Sequence, residues 1–275
     1  MAEFPQTSIG GVTVSRLLCG SNPFFGYSHF SAARDKWLQR YFTVERIAEV
    51  LTYCLEQGVN GIVSGPQPKL HEAIQIATDR TGRQMVWICT PGAGGEACTD
   101  RIEDDIAWCA RHGVKVCLPH PVWTDARLIL HENRIDEGPE TLACIRQHGM
   151  VPGFSTHRIE TVTLSDQQGY DTEVYIQLYN AAGFLCPVET DWAARIINGT
   201  AKVVIAIKPL AAGRLIPPTG LNFSFTTIKP IDAVCIGLMS VEEAEESIAI
   251  ARNILTGSKD QVELAVTRSK AHLVK

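Results

Sequence analysis

Three histidines follow short apolar runs in this chain. His29 comes after Arg16–Cys19, His120 after Val114–Leu118 and His157 after Val151–Phe154. Imidazole exchanges protons near neutral pH. Three imidazoles around one open position also make a catalytic zinc or iron arrangement. Lys208 ends another apolar run, Val203–Ile207. Burial of an amine at such a place activates it for Schiff-base chemistry. Tyr27, two residues before His29, is a competing proton donor. Each residue also has a plainer reading. His120, between two prolines, would be a hydrogen-bonded structural ring, and His29 a loop ring in solvent. His157 would be a neutral ring opening a helix, and Lys208 a structural cation. Asp35 and Lys36 read as solvated loop charges. His71, His112, His131, His148 and His272 read as surface residues. Phe24, Phe25, Trp37, Tyr41, Phe42, Trp123 and Phe223 either wall a pocket for a flat ligand or pack the loops.

The elements that must carry these side chains show as a rhythm. Eight short apolar runs recur: Arg16–Cys19, Val59–Val63, Met85–Cys89, Val114–Leu118, Val151–Phe154, Glu173–Leu178, Val203–Ile207 and Ala233–Ile236. They are rich in Val, Ile, Leu and Cys without strict alternation, as strands buried on both faces of a parallel sheet are. Helical stripes lie between them: Val44–Gln57, Lys69–Thr81, Thr99–His112, Pro139–Gln147, Ile159–Gln167, Asp191–Asn198 and Val241–Leu255. Thr99-Asp100 offers N-cap chemistry. Ser240 with Glu243 spells a capping box. Gly58, Gly113 and Gly149 sit where helices should end.

Strand–helix alternation repeated eight times predicts an α/β fold, a single (β/α)8 TIM barrel over residues 1–275. An N-terminal β-hairpin is expected over 8–14 and an extra C-terminal helix over 256–275. An open doubly wound sheet is the rival, but no G-x-G-x-x-G follows the first run. The Pro/Gly-rich stretch 209–220 reads as a loop after the seventh run. In such barrels the site forms where strands end, at the C-terminal face.

Composition narrows the function classes. The chain has 275 residues, is 45% hydrophobic and carries a formal net charge of −5. No basic run suits a phosphate backbone, so no nucleic-acid partner is expected. No stretch approaches the roughly 20 apolar residues of a membrane span. The first residues show no secretory pattern. Nine cysteines are scattered and show no metal or redox spacing. Reduced core thiols, a cytoplasmic setting and a small-molecule substrate are expected, with the oligomeric state left open.

The strand-end residues carry a resemblance to the aldo/keto reductase superfamily, in order over most of the chain. Gly11–Leu17 followed by Gly20 resembles that family's opening hairpin and first strand, and Gly58-Val59-Asn60 its entry to the second. Leu118-Pro119-His120-Pro121 is similar to the motif that carries its active-site histidine. Gly153-Phe154-Ser155-Thr156 resembles its fifth-strand motif, and Gln177-x-x-Asn180 its sixth. Lys208–Gly213 looks like a Lys-Pro-Leu-Gly-Gly-Gly variant of the seventh. Ile236–Ser240 with the acidic helix behind it resembles the nucleotide loop of the eighth.

The resemblance implies NAD(P) as cofactor. It places Ser155, Thr156, Gln177 and Asn180 at the nicotinamide, and Lys208, Gly237 and Ser240 toward the phosphates. It makes His120 the substrate-orienting ring. Departures are equally plain. The family's Asp falls on Val63 and its Lys on Pro91, and the segment Ser64–Lys69 contains no Tyr. Acid–base catalysis of that kind is worth roughly 10²–10⁴-fold. No Arg or Lys lies in Leu238–Val241 for a 2′-phosphate, and Ser247 stands where an adenine-contacting Asn is expected.

The expected function is a divergent NAD(P)-linked oxidoreductase for a small carbonyl or sugar-like substrate. In it His120 polarises the oxygen and His29 or Tyr27 supplies the proton. Two alternatives stay open. One is a zinc- or iron-dependent lyase, isomerase or hydrolase with His29, His120 and His157 as ligands. The other is a non-catalytic barrel that serves as a binding or regulatory subunit.

Overall fold

The computed structural model describes residues 4–93 and 96–258. A hairpin comes first, β1 (Gln6–Ile9) against β2 (Val12–Ser15). Eight strands then close a parallel barrel: β3 (Leu17–Gly20), β4 (Gly61–Ser64), β5 (Val86–Cys89), β6 (Val116–Cys117), β9 (Val151–Thr156), β10 (Val174–Leu178), β11 (Val203–Ile207) and β12 (Ala233–Gly237). β12 pairs with β3, which closes the ring. A small ribbon, β7 (Leu128–Ile129) and β8 (Arg134–Ile135), lies outside it. All eight expected runs are barrel strands, and the open sheet is excluded.

The barrel interior is one apolar stack. Leu18, Ile88, Val116, Leu118, Val174, Ile176, Val203, Ile205 and Cys235 point inward, and Ile9 and Val14 of the hairpin join them. The hairpin therefore plugs the N-terminal end. At Gly10, φ is +54° and a Cβ would come 2.6 Å from Val151 Cγ1. Only glycine lets the turn lie that close to the strand. At Gly153 a Cβ would lie 2.0 Å from the Val174 carbonyl oxygen, so β9 and β10 meet with no room for a side chain.

A second, larger apolar layer joins the outer strand faces to the helices. These are α1 (Ala32–Tyr41), α2 (Val44–Glu56), α3 (Pro68–Thr81), α4 (Ile102–Arg111), α5 (Pro121–Ala126), α6 (Gly138–Gln147), α7 (Glu160–Gln167), α8 (Thr190–Gly199), α9 (Pro217–Thr227) and α10 (Val241–Thr256). Gly58, Gly113 and Gly149 take φ of +86°, +76° and +74° just past α2, α4 and α6, the left-handed turn that ends a helix.

Several expectations need correction. Asp35 and Lys36 lie on α1, capped by the Ser31 hydroxyl, and not in a loop. Helix α4 starts later than Thr99-Asp100, because the Thr99 hydroxyl accepts from Arg101 N–H in a local turn. The stretch 209–220 is a loop only in its first half. Pro217 then opens α9, fixing φ where the missing N–H costs nothing. His71 and His112 are half-buried members of a ring cluster on the outer layer. Trp108 stacks on His112 at 3.8 Å, and His71 meets His112 edge-on at 5.0 Å. Of the expected final helix, Thr256 ends α10 and Gly257 caps it at φ +70°. Residues 259–275, with His272, lie outside the described residues. All nine cysteines are free, and six are buried. Among the described residues no helix is long and apolar enough to cross a membrane.

Candidate active site at the barrel mouth

The site grows from the strand ends. Cys117 of β6 leads through Leu118 and Pro119 to His120, which caps α5. Its Nδ1 accepts the Val122 N–H at 3.2 Å, and its backbone N–H donates to the Pro91 carbonyl at 2.7 Å. An accepting Nδ1 leaves the ring proton on Nε2. The flanking prolines fix the backbone on both sides. Burial, then His157, then Lys208 push the His120 pKa down to about 4.

His157 follows β9. Its backbone N–H donates to Asp125 Oδ2 at 3.1 Å, and Gln177 Nε2 donates to its carbonyl at 3.4 Å. Burial and then Lys208 hold this ring too at about 4. His29 sits in the loop after β3 with φ +53°. Lys208 Nζ donates to His29 Nε2 at 3.1 Å. Burial and the Lys208 charge lower the His29 pKa as well. Lys208 thus acts on all three rings, and all three are neutral near pH 7. Burial lowers Lys208's own pKa, and Cys235 below it has a thiol pushed up to about 12 by burial.

The metal reading does not survive this arrangement. Among the described residues no three His, Cys, Asp or Glu side chains stand close enough together to hold an ion. Lys208 Nζ rests against His29 Nε2 at 3.1 Å, so a metal cation at that nitrogen would face an ammonium.

The residues expected at a dinucleotide divide into two groups. Ser155 shares the inward face of β9 with Val151, two apart at each step. Gln177 is buried, and its Oε1 has no hydrogen-bond partner in the protein. Both suit a carboxamide, which would fill the orphaned acceptor. The Thr156 hydroxyl is already taken by Asp125, the Arg158 N–H at 2.9 Å and Thr161 at 3.0 Å. Asn180 spends its amide on the Phe184 backbone, donating at 3.0 Å and accepting at 2.9 Å. At the other end, Ser240 caps α10 by accepting the Glu243 N–H at 3.2 Å. The Glu243 carboxylate takes the Met239 N–H at 2.9 Å instead of closing the box on Ser240. Gly237 abuts Pro23, whose ring carbons would stand 3.1 Å from a Cβ. Helix N-termini favour anions, and here the protein's own carboxylates hold that place. The residues present therefore fit the nicotinamide end and not the phosphate end.

Tyr27 is half exposed on the rim, its N–H on the Asn22 carbonyl at 2.9 Å. The aromatic set is mostly loop packing. Phe24 meets Phe42 at 5.0 Å, Trp37 stacks on Tyr41 at 4.7 Å, and Trp123 carries the Arg127 guanidinium at 4.3 Å. Two residues were missed. Asp125 positions His157 and Thr156 together, and Arg214, stacked on Phe184 at 3.9 Å, acts on His29. Asp125 lies five residues after His120 on a helix that the apolar spacing does not show.

No protein-family model matches the chain, and no curated protein matches it by sequence. Solved structures do. A protein of Pseudomonas aeruginosa described as an aldo-keto reductase superposes with TM-score 0.65 at 18% identity, covering 92% of this chain and 94% of that one. An aldo-keto reductase of Bacillus halodurans in its holo form gives TM-score 0.60 at 12% identity, covering 95% and 98%. An aldo-keto reductase of Klebsiella pneumoniae in complex with NADPH gives 0.56 at 15% identity, covering 100% and 94%. The likeness is one of fold.

Proposed function

We propose that this chain, which has the fold of the aldo-keto reductases, is a nicotinamide-linked oxidoreductase for a small carbonyl or sugar-like substrate, working with a replaced acid–base set. One observation carries this reading. Lys208 meets His29 at 3.1 Å at the strand ends and lowers the pKa of His120 and His157 as well, and Gln177, bonded to the His157 carbonyl, keeps an unpartnered Oε1.

A bound nicotinamide would supply or accept the hydride. Ser155 and Gln177 would hold its carboxamide. His120, with its proton on Nε2, donates a hydrogen bond to the substrate oxygen and stabilises the charge that builds there. His29 cannot serve as an acid by itself, because its pKa is lowered and Lys208 occupies its Nε2. The proton comes from the Lys208 ammonium, whose Nζ rests 3.1 Å from His29 Nε2, and solvent restores it after turnover. Tyr27 remains a second donor on the rim. Thr156 and Asn180 shape the strand ends and do not touch the ligand.

The test is a titration of the protein with NADH and NADPH, read by fluorescence. Saturable quenching is expected, and no binding up to millimolar of either sinks the reading. A panel of small aldehydes, ketones and sugars then locates the substrate. With a substrate in hand, His120→Ala should cost about 100-fold in turnover, the loss typical of one donor to a developing oxyanion.

A further inference from the structure

We propose that Lys208 is also a covalent nucleophile, forming an imine at Nζ with small carbonyl compounds that carry a negative charge, with His29 as its proton carrier. Lys208 and His29 are 179 residues apart in sequence, yet Nζ and Nε2 meet at 3.1 Å. Both backbones are bent to achieve it, with φ of +60° at Lys208 and +53° at His29. Neither is glycine, and Lys208 precedes Pro209, a place where extended backbone is strongly preferred. Such conformations persist where the surrounding structure over-determines them, commonly at functional sites.

The environment suits an amine nucleophile. Lys208 is half-buried at the end of β11, and among the described residues no carboxylate stands within ion-pair distance of it. A structural lysine is normally paired or solvated. Burial favours the free amine. The groups acting on the Lys208–His29 pair are His157, Arg214, the Cys235 thiol and Asp35, the one carboxylate, itself bonded to Ser28. His120 faces Lys208 as well. This mostly cationic and neutral wall sets the substrate class, since an anionic group on the carbonyl compound meets Arg214 and no carboxylate beside Lys208.

The step balances without any cofactor. His29 Nε2 takes one proton from the ammonium. The Nζ lone pair attacks the carbonyl carbon, forming C–N as the C=O π bond becomes an alkoxide. The attacking nitrogen's surplus proton passes to that oxygen. His29 gives its proton back to the resulting hydroxyl, the C–O bond breaks, water leaves, and a protonated imine remains.

The experiment mixes the full chain with pyruvate and sodium borohydride, with no nicotinamide present. Borohydride delivers a hydride to the imine carbon and freezes it as a secondary amine. Expected is one adduct, of the mass of pyruvate less one oxygen atom, mapped by peptide mass spectrometry to Lys208. Lys208→Arg keeps the charge and should lose the adduct. His29→Ala should slow trapping by about 10²-fold, the size of a lost proton carrier. No adduct on the natural chain at saturating pyruvate overturns the proposal. So does labelling spread over Lys36, Lys69 and Lys229 without preference for Lys208, or trapping in Lys208→Arg at the natural yield. Mapping on the natural chain decides the matter even if a variant misfolds. Because trapping needs no nicotinamide and quenching needs no imine, this proposal and the reductase reading fail separately.

Discussion

The two ends of the barrel are built from opposite materials. The floor is apolar and closely packed: Ile9 and Val14 of the hairpin plug it, and Leu18, Ile88, Val116, Val174 and Ile205 fill the layers above. The mouth carries four ionisable side chains that act on one another electrostatically, two of them, Lys208 and His29, 3.1 Å apart, and it concentrates strained backbone. Among the described residues, five of the seven non-glycine residues with positive φ follow a barrel strand, His29, Leu185, Lys208, Ala211 and Ala212, while Asn133 turns the β7–β8 ribbon and Glu137 opens α6. The floor spends its residues on stability, and the mouth holds groups that no stability argument explains. A half-buried ammonium without a carboxylate partner and strained turns cost free energy, and ligand chemistry is the usual reason to keep them.

The contrast can be broken or sharpened by experiment. The largest effect belongs to the floor. Ile205→Ala should cost about 2–5 kcal/mol in denaturant unfolding, as buried isoleucine truncations do. It should leave nicotinamide quenching and pyruvate trapping unchanged, and altered binding by the surviving folded protein would show the two ends to be coupled.

The second effect comes from pH. In the folded chain His120 and His157 titrate near 4, against an ordinary value of 6.5. The folded rings bind protons less readily than the unfolded ones. Their contribution to stability is therefore full above about 6.5 and is lost as the pH falls toward 4. Urea unfolding from pH 7 to pH 4.5 should show this decline, and it should be flatter in the double variant His120→Asn, His157→Asn. Equal slopes would place the acid sensitivity elsewhere.

The smallest effect is electrostatic. Lys208→Met removes the charge felt by both rings, so their titration should move upward toward 6.5 when followed by NMR. Burial, the larger cause, stays in place and keeps both below that value. Unmoved rings would mean that Lys208 does not face them.

Much of the fold was legible in the chain. The eight strands showed as apolar runs because a strand buried on both faces has no polar side to hide it. Helices with a clear stripe, such as Val44–Glu56, showed for the same reason. Helix α1 did not, because its residues are mostly polar and only Leu38 is buried. Helix α9 was hidden by Pro217, Pro218 and Gly220, which read as loop. The β-hairpin was placed within two residues of its true ends. His71 and His112 look like surface residues along the chain, since the edge-on contact between them joins α3 to the end of α4.

The sequence alone determined the parallel barrel, the direction in which its strands present their ends, and the set of imidazoles brought to one face. Those follow from local burial and from the handedness of strand–helix units, which act over tens of residues. Tertiary structure alone decided what the imidazoles do. Only the closing of β12 onto β3 brings Lys208 against His29, while burial at the strand ends, with the Lys208 charge as a smaller cause, holds the three imidazoles neutral. Pairing across 179 residues leaves no periodic trace, because what fixes it is the closed ring of strands and not the character of either segment.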